Sequence, residues 1–191
     1  AEVDLGSFFC PLVWLAVTDK IRNRIYNRCC PKSDLWRCIM DFIREKFNQI
    51  SRWDNEIDEY YHRIAVNIGI SDTAFRILYA ISETDEKLTQ ITLGERLCLP
   101  KQTINSAIIK LQKDGYIDLE QLKTARNIKS VSLTEKGQDF CKKHIIPVLQ
   151  MEERAYSVFT DDELQQFISL YEKQFHILKM VMTAYLKEES Q

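Results

Sequence analysis

Glycine and proline are scarce in this chain, five and four among 191 residues. So few turn-formers suit a fold dominated by helices. Long apolar runs are missing too. The longest, residues 8–17, is ten residues, and a membrane-spanning helix needs ~20. Glu2 and Asp4 precede it where a secretory leader would be basic, which argues against a signal peptide. No phosphate-cradling glycine loop, no GxSxG and no HExxH occurs, so no enzyme class finds its machinery here. There is no CxxC pair, and His62, His144 and His176 stand alone, so a zinc framework has no ligand set. No cofactor or metal is expected. Asp161, Asp162 and Glu163 read as charge at a helix N-terminus rather than as an acid/base pair. Four of the six cysteines (Cys10, Cys29, Cys30, Cys38) precede Met40, leaving Cys98 and Cys141. Reduced, mostly buried thiols in a cytoplasmic protein are the simplest expectation.

What is present concentrates in residues 89–134, TQITLGERLCLPKQTINSAIIKLQKDGYIDLEQLKTARNIKSVSLT. Leu93 and Leu97 share a face of one short helix that Thr89 is suited to cap. Pro100 fits the first position of a second helix and pushes Leu99 out of helical geometry. In that helix Ile104, Ala107, Ile108 and Leu111 form one apolar stripe, and Gly115 follows where a left-handed residue is needed. Gly94 is small where a crossing helix would approach. The face opposite the stripe carries Lys101, Gln102, Thr103, Asn105, Ser106 and Lys110, and no Glu. These amides, hydroxyls and cations suit base edges and phosphates better than they suit a merely solvated face. Strand-forming residues follow at 116–122 and 128–133, around a polar tip of Lys123, Thr124, Ala125, Arg126 and Asn127. A hairpin after such a helix is a wing, and its cations suit a minor groove or phosphates.

This run, most specifically LPKQTINSAIIKLQKDGYI and SLTEKG, resembles the winged helix-turn-helix core of the MarR family of bacterial transcription regulators. The likeness extends from about Met40 to the C-terminus. It implies DNA contact through the second helix and through Lys123, Arg126 and Asn127 of the wing. It also implies a homodimer on a palindromic site, and control by a small aromatic or phenolic effector. Two departures stand out. Many members carry Asp-Arg-Arg in the wing, and this chain has Ala125, Arg126 and Asn127; Cys98 occupies the turn position often held by Gly. Some relatives sense oxidants through a cysteine near the start of the first helix. Cys38 is the candidate here, in surroundings that do not match that subgroup.

Around this core the chain is expected to be mainly α. Residues 1–39 are read as an atypical extension, vector-encoded or translated from upstream sequence, with a genuine accessory segment as the alternative. Residues 40–70 are an N-terminal dimerisation helix with an apolar stripe at 43, 47, 50, 57, 61, 64 and 68. Residues 71–133 are the winged DNA-binding region, with Ser71 capping its first helix. Residues 134–191 are C-terminal dimerisation helices, capped by Thr134 and broken or kinked at Pro147. The last one carries Leu164, Phe167, Ile168, Tyr171, Phe175, Leu178 and Met182 at helical spacing. The flanking helices hold more apolar surface than the winged unit can cover, which favours pairing with a second copy.

Net charge is −2, yet six Lys/Arg face three acids across residues 101–129, a local basic footprint on an acidic body. Trp53, Tyr60, Tyr61, His62 and Tyr79 are the residues placed to line an effector cleft. The expected function is that of a dimeric, operator-binding repressor. Two alternatives remain, a winged-helix protein-interaction module without DNA binding and a thiol-based redox regulator.

Overall fold

The computed structural model describes residues 35–121 and 129–189. Seven helices and a hairpin are described: α1 (Leu35–Asn67), α2 (Asp72–Ser82), α3 (Gln90–Leu97), α4 (Lys101–Lys113), β1 (Ile117–Gln121), β2 (Lys129–Leu133), α5 (Glu135–His144), α6 (Ile146–Tyr156) and α7 (Asp161–Glu188). Chain contacts divide these into two units. One holds residues 57–164; the other holds α1 up to Glu56 and α7 from Gln165 onward. The architecture is therefore mainly α with one small antiparallel wing. Among the described residues no single helix is long and apolar enough to cross a membrane.

Local chemistry sets most of the boundaries. α1 starts five residues before Met40, so the expected division at 39/40 falls inside a helix. The reason is visible in the spacing, since Ile39 extends the stripe of Ile43 and Phe47 by one turn. The helix closes on Gly69 at φ 77°, with Ile70 N–H reaching the Ala65 carbonyl at 3.0 Å and Gly69 N–H the Val66 carbonyl at 3.0 Å. That paired pattern needs the left-handed residue glycine supplies. Ser71 then caps α2, accepting from Ala74 N–H at 3.3 Å. Pro147 lies in the first turn of α6 and separates it from α5, because proline tolerates a helix start and disrupts an interior. Thr160 and Glu163 cap each other at the head of α7, Thr160 N–H to the Glu163 carboxylate at 2.9 Å and Glu163 N–H to the Thr160 hydroxyl at 3.3 Å.

Within residues 57–164 the core gathers Ile77, Leu78, Leu93, Ile104, Ile108, Leu111, Ile117 and Ile145, none more than 1% exposed. Burying such a side chain contributes about 1.5–3 kcal/mol, so these eight residues of α2, α3, α4, β1 and the α5–α6 junction hold the winged unit together. In the other unit, by contrast, α7 buries none of its residues.

Candidate nucleic-acid interface and effector hollow

Helices α3 and α4 form a helix-turn-helix whose turn is fixed by backbone chemistry. Thr89 and Thr92 cap α3 reciprocally, Thr89 N–H to the Thr92 hydroxyl at 2.8 Å and Thr92 N–H to the Thr89 hydroxyl at 3.2 Å. The helix ends on Cys98 at φ 50°, ψ 41°, a left-handed residue that is not glycine and so carries a cost of order 1 kcal/mol. Leu99 N–H closes the turn on the Gly94 carbonyl at 3.0 Å. Pro100 is the N-cap of α4 at ψ 142°, one position earlier than the sequence reading had it. Its extended ψ lets its carbonyl accept from Ile104 N–H at 3.1 Å while the helix begins at Lys101. A Cβ on Gly94 would meet the Leu99 carbonyl at 3.5 Å and Ile104 Cγ1 at 3.9 Å, which is ordinary contact. The close approach expected there does not require glycine.

The unit is braced on both sides. Arg76 of α2 donates to the Leu97 carbonyl at 3.0 Å, and Arg96 pairs with Glu83 at 2.7 Å. The wing is tied to the start of α3 by Val131 N–H donating to the Leu88 carbonyl at 2.8 Å, next to a bridge between Thr89 and Ser130. β1 and β2 pair in the register Ile117 to Leu133. α4 ends in the same pattern as α1, Tyr116 N–H on the Leu111 carbonyl at 2.9 Å and Gly115 at φ 78°.

On α4, Ile104, Ile108 and Leu111 are buried, and Lys101, Gln102, Thr103, Asn105, Ser106 and Lys110 are all exposed. The six polar residues singled out from sequence therefore share one solvent-facing surface. Ser106 is partly engaged, since its hydroxyl donates to the Gln102 carbonyl at 2.9 Å. Lys123, Arg126 and Asn127 lie outside the described residues. Sequence reasoning passed over Ile109, which stands 56% exposed among these polar groups. It also passed over Lys129, which joins Lys101, Asn105, Ile109, Ile91 and Leu119 around a hollow of about 660 Å³ between α3, α4 and the wing.

A second hollow, about 670 Å³, opens between α1, α2 and α3. Tyr61, His62 and Tyr79 line it, with Arg76, Arg96, Asp58, Asp72 and Glu83. Three of the five aromatic residues expected at a cleft are thus brought together. Tyr60 is 59% exposed and lines no part of it, and Trp53, 55% exposed, falls in the other unit. Behind the hollow, the hydroxyls of Tyr61 and Tyr79 both donate to the Glu152 carboxylate of α6. Burial raises the pKa of each phenol, and the bond to Glu152 raises it further, so both stay protonated. Glu152 lies 91 and 73 residues from these partners, so no local pattern could have flagged it. His62 Nδ1 sits 3.0 Å from both oxygens of Asp72, which raises the imidazole pKa from its ordinary value.

Cys38 is half-buried in the first turns of α1, Cys98 is exposed, and Cys141 is buried, its thiol pKa raised by desolvation. Among the described residues no group of three or more His, Cys, Asp or Glu side chains is arranged to hold a metal ion.

Comparison with known proteins places this arrangement. The profile of the MarR family matches residues 68–126. The chain is 30% identical over 118 residues to the HTH-type transcriptional regulator SarZ of Staphylococcus saprophyticus, covering 61% of this chain and 76% of that one. It is 33% identical over 103 residues to SarZ of Staphylococcus epidermidis, spanning 53% of this chain and 62% of that relative's length. In structure it resembles NMB1585, a MarR family regulator from Neisseria meningitidis, with a TM-score of 0.60, 20% identity, and coverage of 72% of this chain and 96% of that one. The helix-turn-helix, the wing and these matches together establish that the chain belongs to the MarR family of winged helix-turn-helix transcription regulators.

Proposed function

We propose that this chain is a homodimeric, sequence-specific DNA-binding repressor that reads a palindromic operator through α4 and the wing. The observation that carries this reading is α4 itself. Its apolar residues Ile104, Ile108 and Leu111 are spent in the core, and its free surface presents Lys101, Gln102, Thr103, Asn105 and Lys110 around Ile109. Amides in such a position pair with base edges and lysines with phosphates. Dimerisation is supported by α7, where eleven large apolar side chains are at least 38% exposed, far beyond the scattered apolar surface a monomer normally shows. Two copies of α4 related by a two-fold axis would meet half-sites ~10 bp apart.

The hollow at Tyr61, His62 and Tyr79 is the proposed site of a small aromatic or phenolic effector, and its volume is in the range of ligand pockets. Such a ligand releases DNA only if it binds one spacing of the recognition helices better than the other.

The test is fluorescence anisotropy of the full chain against DNA upstream of its gene, at several salt concentrations. If Lys101, Lys110, Lys123 and Arg126 each neutralise one phosphate per half-site, the log–log slope of affinity on salt is about −7 for the dimer. Doubling the salt would then weaken binding about a hundredfold. Arg126→Ala lowers that slope and weakens binding on all sequences, whereas Gln102→Ala and Asn105→Ala relax base preference. An intact dimer that binds no duplex, or binds with no salt dependence, would overturn the proposal in favour of a winged-helix module for protein contacts.

A further inference from the structure

We propose that Ile109 reads sequence, by packing on the C5-methyl group of a thymine in the major groove; the inference rests on the proposed operator binding through α4. Ile109 lies seven residues after Gln102 and four after Asn105 on α4. At 100° per residue it falls within ~20–40° of both, on one line down the helix. It lies ~140–160° round from the buried Ile104 and Leu111. Any docking that brings the two amides to base edges therefore brings Ile109 to the groove as well, one to two turns further along.

An apolar side chain there has no hydrogen bond to offer. The one apolar feature a base edge presents in the major groove is the thymine methyl. The surroundings fit that occupant. Leu119 of β1 and Ile91 of α3 line the same hollow as Ile109, with Lys101, Lys129 and Glu95 also on it. Apolar groups with two cations against one carboxylate fit a methyl group beside phosphates. Left in water, a 56% exposed isoleucine gains nothing.

The test starts from the palindrome that the full-length protein selects out of a random duplex pool. Each thymine of that duplex is replaced in turn by 2′-deoxyuridine, which deletes only the methyl. The expected result is one symmetric thymine pair at which the replacement weakens binding about fourfold per half-site. Ile109→Ala should bind the thymine and deoxyuridine duplexes alike, and as weakly as the unaltered protein binds the deoxyuridine one. Gln102→Ala, a control that binds DNA more weakly for another reason, should keep the sensitivity to the methyl. The inference is overturned if the protein is indifferent to every replacement, or if Ile109→Ala keeps the same sensitivity at the same base pair. Failure to select any sequence would instead refute operator binding itself, and this inference with it.

Discussion

Two glycines in the winged unit should respond in opposite directions to the same substitution. Gly137 is the third residue of α5, and a Cβ there would overlap the carbonyl oxygen of Tyr116 and stand 2.9 Å from its carbonyl carbon. The obstacle is backbone, so no side-chain rotation relieves it. That carbonyl is also held in place, because it accepts from Thr134 N–H at 3.1 Å. The Thr134 hydroxyl donates to the Gly115 carbonyl at 2.6 Å and accepts from Gly137 N–H at 3.0 Å. For an alanine to fit, the start of α5 must pull away from the end of α4. The two hydrogen bonds from Thr134 to the Gly115 and Tyr116 carbonyls, at ~1 kcal/mol each, are then lost or stretched. Overpacking without movement would cost about 1–3 kcal/mol instead. Alanine's better helix propensity returns at most ~1 kcal/mol. The net for Gly137→Ala is a loss of about 1–2 kcal/mol, which for a chain of this size lowers Tm by roughly 2–8 °C. Gly94→Ala should do the reverse, since its Cβ finds only ordinary contact at 3.5 and 3.9 Å. It keeps the propensity gain of up to ~1 kcal/mol. Circular dichroism melts at one matched protein concentration would decide, because self-association makes Tm depend on concentration. Gly137→Ala melting within about 2 °C of the parent, or Gly94→Ala losing as much as Gly137→Ala, would refute the packing argument.

Three further outcomes follow from the site. Replacing both Tyr61 and Tyr79 by phenylalanine strips Glu152 of both donors in a half-buried place and should cost ~1–3 kcal/mol in urea unfolding, with either single change costing less; equal cost for one and both would show that the tyrosines do not share the carboxylate. The His62 pKa is raised by Asp72, so that pair stabilises most below the ordinary imidazole value of about 6.5 and its contribution is lost as pH rises through the raised value. An NMR titration should therefore place the His62 midpoint above that of Asp72→Asn, and identical midpoints would remove the interaction. Ser106→Ala should cost under about 1 kcal/mol in operator affinity, because its hydroxyl is already donated inside the helix, whereas Gln102→Ala should cost ~1–3 kcal/mol at one base pair, as anisotropy on single-substituted duplexes would reveal.

The turn chemistry was legible because it is local. Ser71, Thr89 and Thr134 cap the helices that follow them, and Gly115 ends α4 in the left-handed region. Each of these depends on residues within five positions, which a sequence displays directly. The glycine at 94 was misjudged and the one at 137 overlooked for the opposite reason. What a Cβ would meet depends on Ile104, ten positions later, in one case and on Tyr116, 21 positions earlier, in the other. The tie from Glu152 to Tyr61 and Tyr79 was invisible on the same ground. Ile109 was missed differently: the stripe of Ile104, Ile108 and Leu111 invites the eye to count every isoleucine of α4 as core, and only the angle around the helix separates it from them.

Periodicity, then, states which side of a helix is apolar and leaves open what covers it. In α4 the apolar stripe is covered by α2, α3 and β1, so its polar face is left to the solvent and to the proposed DNA partner. In α7 the pattern is as regular, and Phe167, Tyr171, Phe175, Leu178 and Met182 recur on one face, yet none is buried. The same rule that identifies a core in α4 therefore leaves α7 with an uncovered apolar face. A helix with that much exposed apolar surface is disfavoured in water at about 25 cal/mol per Å². A second copy of the same helix is the partner a cell always supplies at matching concentration. If that argument holds, Phe175→Asp, which places a charge in the stripe and leaves the sequence of residues 57–164 unchanged, should yield a folded monomer by light scattering. It should retain the parent's fold around α4 yet lose the roughly 10²–10⁴-fold affinity gained by engaging two half-sites at once. A Phe175→Asp protein that remains dimeric would show that α7 is not where the two copies meet.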